Sequence, residues 1–154
     1  MLTSSSPALN TFTLKLPALA NDFQVLSFEG SEHISWPYEI NIEVVSQNAN
    51  LSLTDFLHSA AFLAFNAEGS GIHGQIHSIG RGESGKRLTH YNLTLVPRFS
   101  YLQHRFNQRI FQHKSVPQII AQVLEEHRIL AGDYRFDLGP TIYPPREYCT
   151  QFDE

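Results

Sequence analysis

Residues 38–45, YEINIEVV, carry the clearest strand pattern in the chain. Apolar side chains occupy every second position, while Glu39, Asn41 and Glu43 occupy the positions between them. Side chains of a strand alternate between the two faces of a sheet, so one face here is apolar and the other polar. The pattern predicts a half-buried strand in an antiparallel sheet.

Similar signals recur along the chain and are punctuated by Gly and Pro. We predict further strands over residues 11–16, 23–29, 61–67, 72–79, 88–96 and 134–138, with turns over 68–71 and 80–86. Residues 109–112 are predicted to form a short extended segment, and residues 148–152 resemble the beginning of another strand. Helical turns are predicted over 51–58 and, as a short helix or irregular turn, over 99–106.

One long amphipathic helix is predicted at about residues 116–128. Ser115 and Gln118 have the spacing of a capping box, and Pro117 lies in the first turn, where a missing N–H costs little. Apolar residues recur at helical spacing: Val116, Ile119, Ile120, Val123 and Leu124. His127 and Arg128 lie in the last turn, where positive charge complements the helix dipole. The fold class predicted is therefore mainly β with one substantial α-helix (α+β).

Composition and charge exclude several classes of function. The 154 residues have a formal net charge of −4 and a pI near 6.0, without the clustered Lys and Arg of a nucleic-acid-binding surface. A single cysteine, Cys149, excludes an internal disulfide framework. We find neither a signal peptide nor an apolar run of roughly 20 residues that could span a membrane. We therefore expect synthesis in the cytoplasm and a disordered, Ser-rich segment at residues 1–10.

Residues 80–87, GRGESGKR, match most of a phosphate-binding loop. That motif needs Ser or Thr after its lysine and a helix that begins at the loop. Arg87 stands at the Ser/Thr position, and an alternating strand pattern follows. A hairpin turn explains this segment better.

Neither the histidines nor the cysteine predicts a catalytic or metal site. His73 and His77 would face the same side of a strand about 13 Å apart, too far to share one ion directly. Cys149 lies in an alternating segment, where a lone thiol is more often a small buried hydrophobe than a nucleophile. We predict no catalytic, cofactor-binding or metal-binding residues, and no cofactor.

Aromatic and arginine side chains near the end of the chain are candidates for a protein interface. Residues 143–149 combine two prolines with two tyrosines and an arginine, and Tyr and Arg are frequent interface anchors. The alternative is a stiff loop that leads into a strand. The candidate interface residues are Phe99, Tyr101, Phe106, Tyr143, Arg146 and Tyr148.

Several segments together resemble a known family. RIFQHKSVPQII at 109–120 and YPPREYCTQFDE at 143–154 are similar to the N-terminal, phage-tail-hub-like region of VgrG proteins, the spike proteins of the type VI secretion system. Other segments are also similar to that region: DFQVLSFEG at 22–30, the Ser35-Trp36-Pro37-Tyr38 run, Ile72-His73-Gly74, and the Leu-x-Leu-x-Pro ending of residues 91–97. The resemblance extends from about Phe12 to Glu154. His113 stands where the family leads us to expect asparagine.

The resemblance implies a β-barrel module like that of phage tail hubs, over residues 11–142, followed at 143–154 by the start of a second, truncated module. It implies a homotrimer that docks on an Hcp-type tube, carries effectors, and is delivered from a Gram-negative bacterium without a cleaved signal peptide. The protein would be structural rather than enzymatic. One alternative is a baseplate hub of a contractile phage tail or tailocin. Another is a hydrolase that uses Cys149.

Overall fold

The computed structural model describes residues 12–152, and these form two compact units. The first unit ends at Pro97 and the second begins at Arg98. No helix within residues 12–152 is long and apolar enough to cross a membrane. The predicted disordered segment 1–10 lies outside the described residues, and the predicted second module at 143–154 stays a prediction.

A six-stranded antiparallel sheet makes up most of the first unit. Its strands are β1 Thr13–Lys15, β2 Gln24–His33, β3 Trp36–Ser46, β4 Ala60–Ala64, β5 Gly71–Ser84 and β6 Thr89–Val96. In space their order is β1-β4-β5-β6-β3-β2. A short helix, α1 (Leu53–Phe56), lies between β3 and β4. The prediction of a mostly β chain is confirmed.

The core lies on one face of this sheet, as the alternation in β3 predicts. Ile40, Ile42 and Val44 are buried, and their antiparallel partners in β6 include the buried Leu93 and Leu95. The remaining buried members of this cluster come from β6 itself, the other strands, the loops and α1: Leu14, Leu16, Phe23, Phe56, Ala61, Leu63, Ile76 and Tyr91. Their burial supplies most of the free energy that favours the folded sheet.

The sheet is curled, because its two edge strands approach each other. The ring of Phe12, at the start of β1, packs edge-on against Phe28 of β2, with 4.9 Å between the ring centroids. Phe28 also stacks on Phe65, which follows β4. These contacts join opposite edges of one sheet and enclose the apolar face.

Gly74 lies where β5 passes close to β6. It belongs to Ile72-His73-Gly74, one of the segments that carry the family resemblance. A Cβ atom at this position would lie 2.7 Å from the backbone oxygen of Val96. Any larger residue would force the strands apart, which explains glycine inside a strand.

The turn predicted at residues 80–86 is wrong in position. β5 continues through these glycines to Ser84, which pairs with Thr89, and the turn is confined to the residues between them. The Gly85 N–H donates to the Leu88 carbonyl at 2.8 Å. The backbone of β6 offers hydrogen-bonding partners along its whole length, so β5 continues beside it. A register shift between Arg81 and Ser84 accommodates the unequal number of residues in the two strands.

The second unit contains a 3₁₀ helix, two strands and one longer helix. The 3₁₀ helix spans Arg98–His104, and β7 (Gln108–Lys114) pairs antiparallel with β8 (Arg146–Phe152) to form a two-stranded ribbon. The strand predicted at 134–138 is absent, since this segment pairs with no described strand. Tyr134 instead packs edge-on against Phe136.

The longer helix, α2 (Val116–Glu126), begins where the capping box predicts. Gln118 Oε1 accepts the backbone N–H of Ser115 at 2.8 Å. The helix ends two residues before the predicted position, because Arg128 adopts a φ of 60° in the left-handed region. The Ile129 N–H then donates to the Leu124 carbonyl, and the Arg128 N–H to that of Glu125. These two bonds and the burial of Leu124 and Ile129 define a Schellman motif.

His113 also has a left-handed backbone, with a φ of 53°. This residue interrupts the alternation of β7, so that Lys114 and Arg109 both reach α2, where they donate to Gln122 and Glu126. Asparagine tolerates this conformation better than most residues other than glycine. The left-handed backbone at position 113 therefore explains why asparagine, the residue expected from the family resemblance, would suit this position.

Candidate interaction surfaces

The histidines singled out in the sequence have structural contacts. His73, on β5, packs its ring against Phe62 with 4.3 Å between the centroids, and its backbone carbonyl accepts the Tyr38 hydroxyl. Among residues 12–152 no three His, Cys, Asp or Glu side chains are grouped so that they could hold a metal ion. His73 therefore contributes to strand packing.

Cys149 lies on β8, directly opposite Phe111 of β7. Its side chain is half-buried, and Phe111 is buried. The thiol thus occupies the inner face of the ribbon, in the environment of a small packed side chain.

The glycine-rich segment 80–87 does not adopt a phosphate-binding geometry. Its first half belongs to β5, and after the turn the chain enters β6 rather than a helix. A phosphate loop directs backbone N–H groups from the start of a helix towards the anion. The strand that follows the turn agrees with the sequence-based interpretation of this segment as a hairpin turn.

Arg109 connects the ribbon to α2 on the inner face. Its guanidinium donates to a carboxylate oxygen of Glu126 and to Gln151 Oε1, and it lies over the ring of Phe111, 4.6 Å from the centroid. Gln122 donates a second bond to Glu126, at 2.8 Å. The hydrogen bond from Arg109, then that from Gln122, holds the pKa of Glu126 below its usual range. The ionised carboxylate of Glu126 therefore has a structural role, because it joins the ribbon to α2.

An open cleft of about 380 Å³ lies beside this ion pair, within the second unit. Its walls come from the 3₁₀ helix, the residues after it, the ribbon and α2: Leu102, Arg105, Phe106, Asn107, Arg109, Val123, Glu126, His127 and Gln151. The walls mix apolar and charged side chains. The cleft therefore suits a polar-apolar protein contact better than a purely apolar ligand.

The opposite face of the ribbon exposes large apolar side chains. Ile110 is 63% exposed, Tyr148 65% and Phe152 68%. The register of the ribbon places them on one face, because Ile110 pairs with Thr150 between Tyr148 and Phe152. We call these three residues the ribbon outer face. Contiguous exposed apolar side chains are typical of protein interfaces.

The structure distributes the six predicted interface residues over three segments. Phe99 and Tyr101 lie in the 3₁₀ helix, where Phe99 is exposed and burial raises the pKa of Tyr101. Phe106 is exposed and lines the cleft. The others lie in or just before β8: Tyr143, Arg146 and Tyr148.

Sequence reasoning missed the exposed side chains at the tip of the β2–β3 hairpin. Ile34 is 96% exposed and Trp36 is 75% exposed, and Ser35 between them has a φ of 67°. The available signal was a large apolar residue within a two-residue turn, where polar residues and glycine are usual. The exposed side chains at this tip, which include the chain's one tryptophan, make it a further candidate interaction surface.

Comparison with known proteins identifies the family to which the chain belongs. The family described as phage tail baseplate hub (GPD) matches residues 31–154. VgrG4b and VgrG5, type VI secretion system spike proteins of Pseudomonas aeruginosa, are each 55% identical over 150 residues, 97% of this chain. The type VI spike protein VgrG3 of Vibrio cholerae is 34% identical over 93% of the chain.

These relatives are far longer than the chain. The matched parts cover 18% of VgrG4b, 19% of VgrG5 and 15% of VgrG3. The same fold occurs in a solved structure, the Escherichia coli c3393 protein, with a TM-score of 0.83 and 29% identity over 91% of this chain and 39% of that one. That protein is described as a component of the type VI secretion system with structural similarity to the T4 bacteriophage tail proteins gp27 and gp5. The chain belongs to the phage tail baseplate hub family and, within it, resembles the hub-like region of VgrG spike proteins.

Proposed function

We propose that this chain is a structural part of a type VI secretion spike, in the trimeric hub that joins an Hcp-type tube to the spike. The observation that carries the proposal is 55% identity to two VgrG spike proteins over 97% of the chain. Such a part acts by shape and surface complementarity and performs no chemical step.

Exposed apolar side chains supply the surfaces that an assembly needs. The proposed contact residues include the six predicted from the sequence, to which we add the ribbon outer face and the β2–β3 tip. The predicted six are Phe99, Tyr101, Phe106, Tyr143, Arg146 and Tyr148. We propose that these surfaces meet sister subunits, the tube or carried effectors.

We also propose the route that the protein takes: it is made in the cytoplasm, assembled with the tube and delivered by the secretion apparatus without a cleaved signal peptide. Residues 11–142 would form the hub-like barrel module, and residues 143–154 would begin a second one. The support for this division is the family resemblance alone.

The experiment uses a bacterium in which this sequence belongs to the sole active spike gene. We expect an in-frame deletion of codons 12–152 to abolish release of the tube protein into the medium. The variant Cys149→Ala should release as much tube protein as the wild type. Undiminished release by the deletion strain would overturn the structural role, and loss of release by Cys149→Ala at normal protein levels would favour the hydrolase.

A phage-type hub is the second candidate. The family description and the printed likeness of the c3393 protein to gp27 and gp5 favour it. A hub of this kind would sediment with released contractile particles after lysis. A secretion hub would instead require living cells with an intact secretion apparatus.

A further inference from the structure

The cleft beside α2 in the second unit has a positive charge that its own walls leave unbalanced. Arg109 and Glu126, which both line it, form an ion pair with 2.5 Å between the guanidinium and the carboxylate. Arg105 also lines the cleft and is exposed. Among residues 12–152 no carboxylate lies within ion-pair distance of Arg105. The described walls therefore contain one cation without a counter-charge.

Two hydrogen bonds define the backbone around this cation. The Arg105 N–H donates to the Leu102 carbonyl at 3.0 Å, and the side-chain oxygen of Asn107 accepts the Gln108 N–H at 2.9 Å. Phe106 lies between these bonds and lines the same cleft. The turn after the 3₁₀ helix therefore places a cation and an aromatic ring at neighbouring positions of one wall.

The cleft also exposes apolar surface. Phe106 is 74% exposed, and Leu102 and Val123 are half-buried. Leu102 belongs to the 3₁₀ helix and Val123 to α2, so apolar groups come from more than one element. An occupant that removes this surface from water gains free energy from the hydrophobic effect. The volume of about 380 Å³ is that of a small-ligand site, so it suits a short segment of chain.

We propose that this cleft binds a short segment of a partner protein in which a large apolar side chain adjoins the carboxylate of an Asp or Glu. The apolar side chain packs against Leu102, Phe106 and Val123, and the carboxylate accepts hydrogen bonds from Arg105. This inference rests on the proposed function, in which Phe106 is a contact residue, and it names the chemistry of the partner.

Simpler occupants match only part of the lining. A small inorganic anion would pair with Arg105 and leave the apolar walls in water. A purely apolar ligand would cover those walls but would take water from the guanidinium without replacing its hydrogen bonds, which costs free energy. A basic segment would lack a partner, because Arg109 already pairs with Glu126, the one carboxylate among the described lining residues. A guanidinium can hold a carboxylate with two parallel hydrogen bonds.

Amide NMR shifts of the isotope-labelled 154-residue chain test the proposal. The probes are tetrapeptides with blocked ends and terminal glycines, whose central residues are phenylalanine and glutamate in either order. At least one order should shift the amide signals of residues 102–109, 123–127 and 151 saturably. Replacing the glutamate by glutamine should weaken binding about two- to fivefold, as for an exposed ion pair. Replacing the phenylalanine by alanine should weaken it about tenfold.

Variants of the cleft make the test specific. Arg105→Gln should lower the affinity for the glutamate peptide to that for the glutamine peptide, and should leave the latter unchanged. Phe106→Ala should weaken the binding of both. Arg135→Gln, at an exposed arginine outside the cleft, is the matched control and should change neither affinity. The three replaced side chains are exposed, so the variants should fold as the wild type does.

Two results would overturn the proposal. One is the absence of saturable shifts at the cleft with both peptide orders, and the other is equal affinity of the wild-type chain for the glutamate and glutamine peptides. Peptide binding is measured on the chain alone, whereas the structural role is measured by tube release from living cells. Failure of the peptide experiment therefore leaves the hub function to be judged separately.

Discussion

At the residue scale, the negative charge of Glu126 helps to hold the elements of the second unit together. The carboxylate accepts bonds from Arg109 and Gln122, which join the ribbon to α2. These bonds form with the ionised carboxylate, so they lower its pKa from the ordinary value of 4.5. A lowered folded-state pKa stabilises the fold above the unfolded pKa, and this contribution is lost as pH falls through the folded value.

We expect Glu126→Gln to reduce the free energy of unfolding by about 0.5–1 kcal/mol at pH 7, since the pair is partly exposed to solvent. The deficit relative to the wild type should shrink as the pH falls below the ordinary carboxyl pKa. Urea denaturation of both proteins at pH 7 and at pH 3.5 measures it. Glu125→Gln, at an exposed neighbour on α2, is the matched control and should change stability little. A deficit that stays constant with pH would show that the ionised carboxylate is not its source.

The described residues other than glycine that have a left-handed backbone include His113. Its φ of 53° favours asparagine or glycine, and the side chain is exposed. We expect His113→Asn to raise the free energy of unfolding by roughly 0.5 kcal/mol, a part of the left-handed penalty. Gln112→Asn, one position earlier in β7, should give no gain. Thermal and urea denaturation compare the two, and equal effects would contradict the backbone explanation.

At the element scale, the end of α2 depends on one left-handed residue. Arg128 at the position after the cap is exposed, and its backbone carbonyl accepts a bond from Arg98 that a substitution would retain. Glycine adopts this conformation without steric cost. We therefore expect Arg128→Gly to stabilise the protein by about 0.5–1 kcal/mol.

Arg128→Ala separates the backbone effect from loss of the side chain. Alanine has the same left-handed penalty as arginine, so this variant should not be stabilised. Urea denaturation at pH 7 measures both variants. A similar gain in the two would place the cause in the arginine side chain and not in the backbone.

Local patterns predicted the elements whose signal is contained in a short stretch of sequence. The alternation at residues 38–45 and the capping box at Ser115 both correspond to observed elements. The strand predicted at 134–138 failed because pairing is a long-range property. The extension of β5 was missed for the same reason, since the partner strand β6 decides where the turn falls.

The candidate surfaces were only partly predictable. Tyr148 was identified from its residue type, and the structure places it beside Ile110 and Phe152 on one exposed face. That grouping depends on the register between β7 and β8, which are separated by more than thirty residues. The β2–β3 tip was missed because an apolar residue in a sequence ordinarily predicts burial, whereas Ile34 and Trp36 are exposed.

At the scale of the whole molecule, the described residues form a buried core and exposed apolar surfaces, and we propose that these surfaces contact other proteins. Its apolar core lies on the inner face of a curled sheet, while large apolar side chains remain exposed at a hairpin tip and on a ribbon. Family membership and the exposed surfaces lead to the same proposal, a hub component that assembles with copies of itself.

The most direct test is the mass of the chain in solution, measured by light scattering over a wide range of concentration. We expect the mass to rise with concentration from 17.5 kDa towards three times that value, and Trp36→Ala to delay the rise. A mass that stays at 17.5 kDa at every concentration would contradict self-association through this chain.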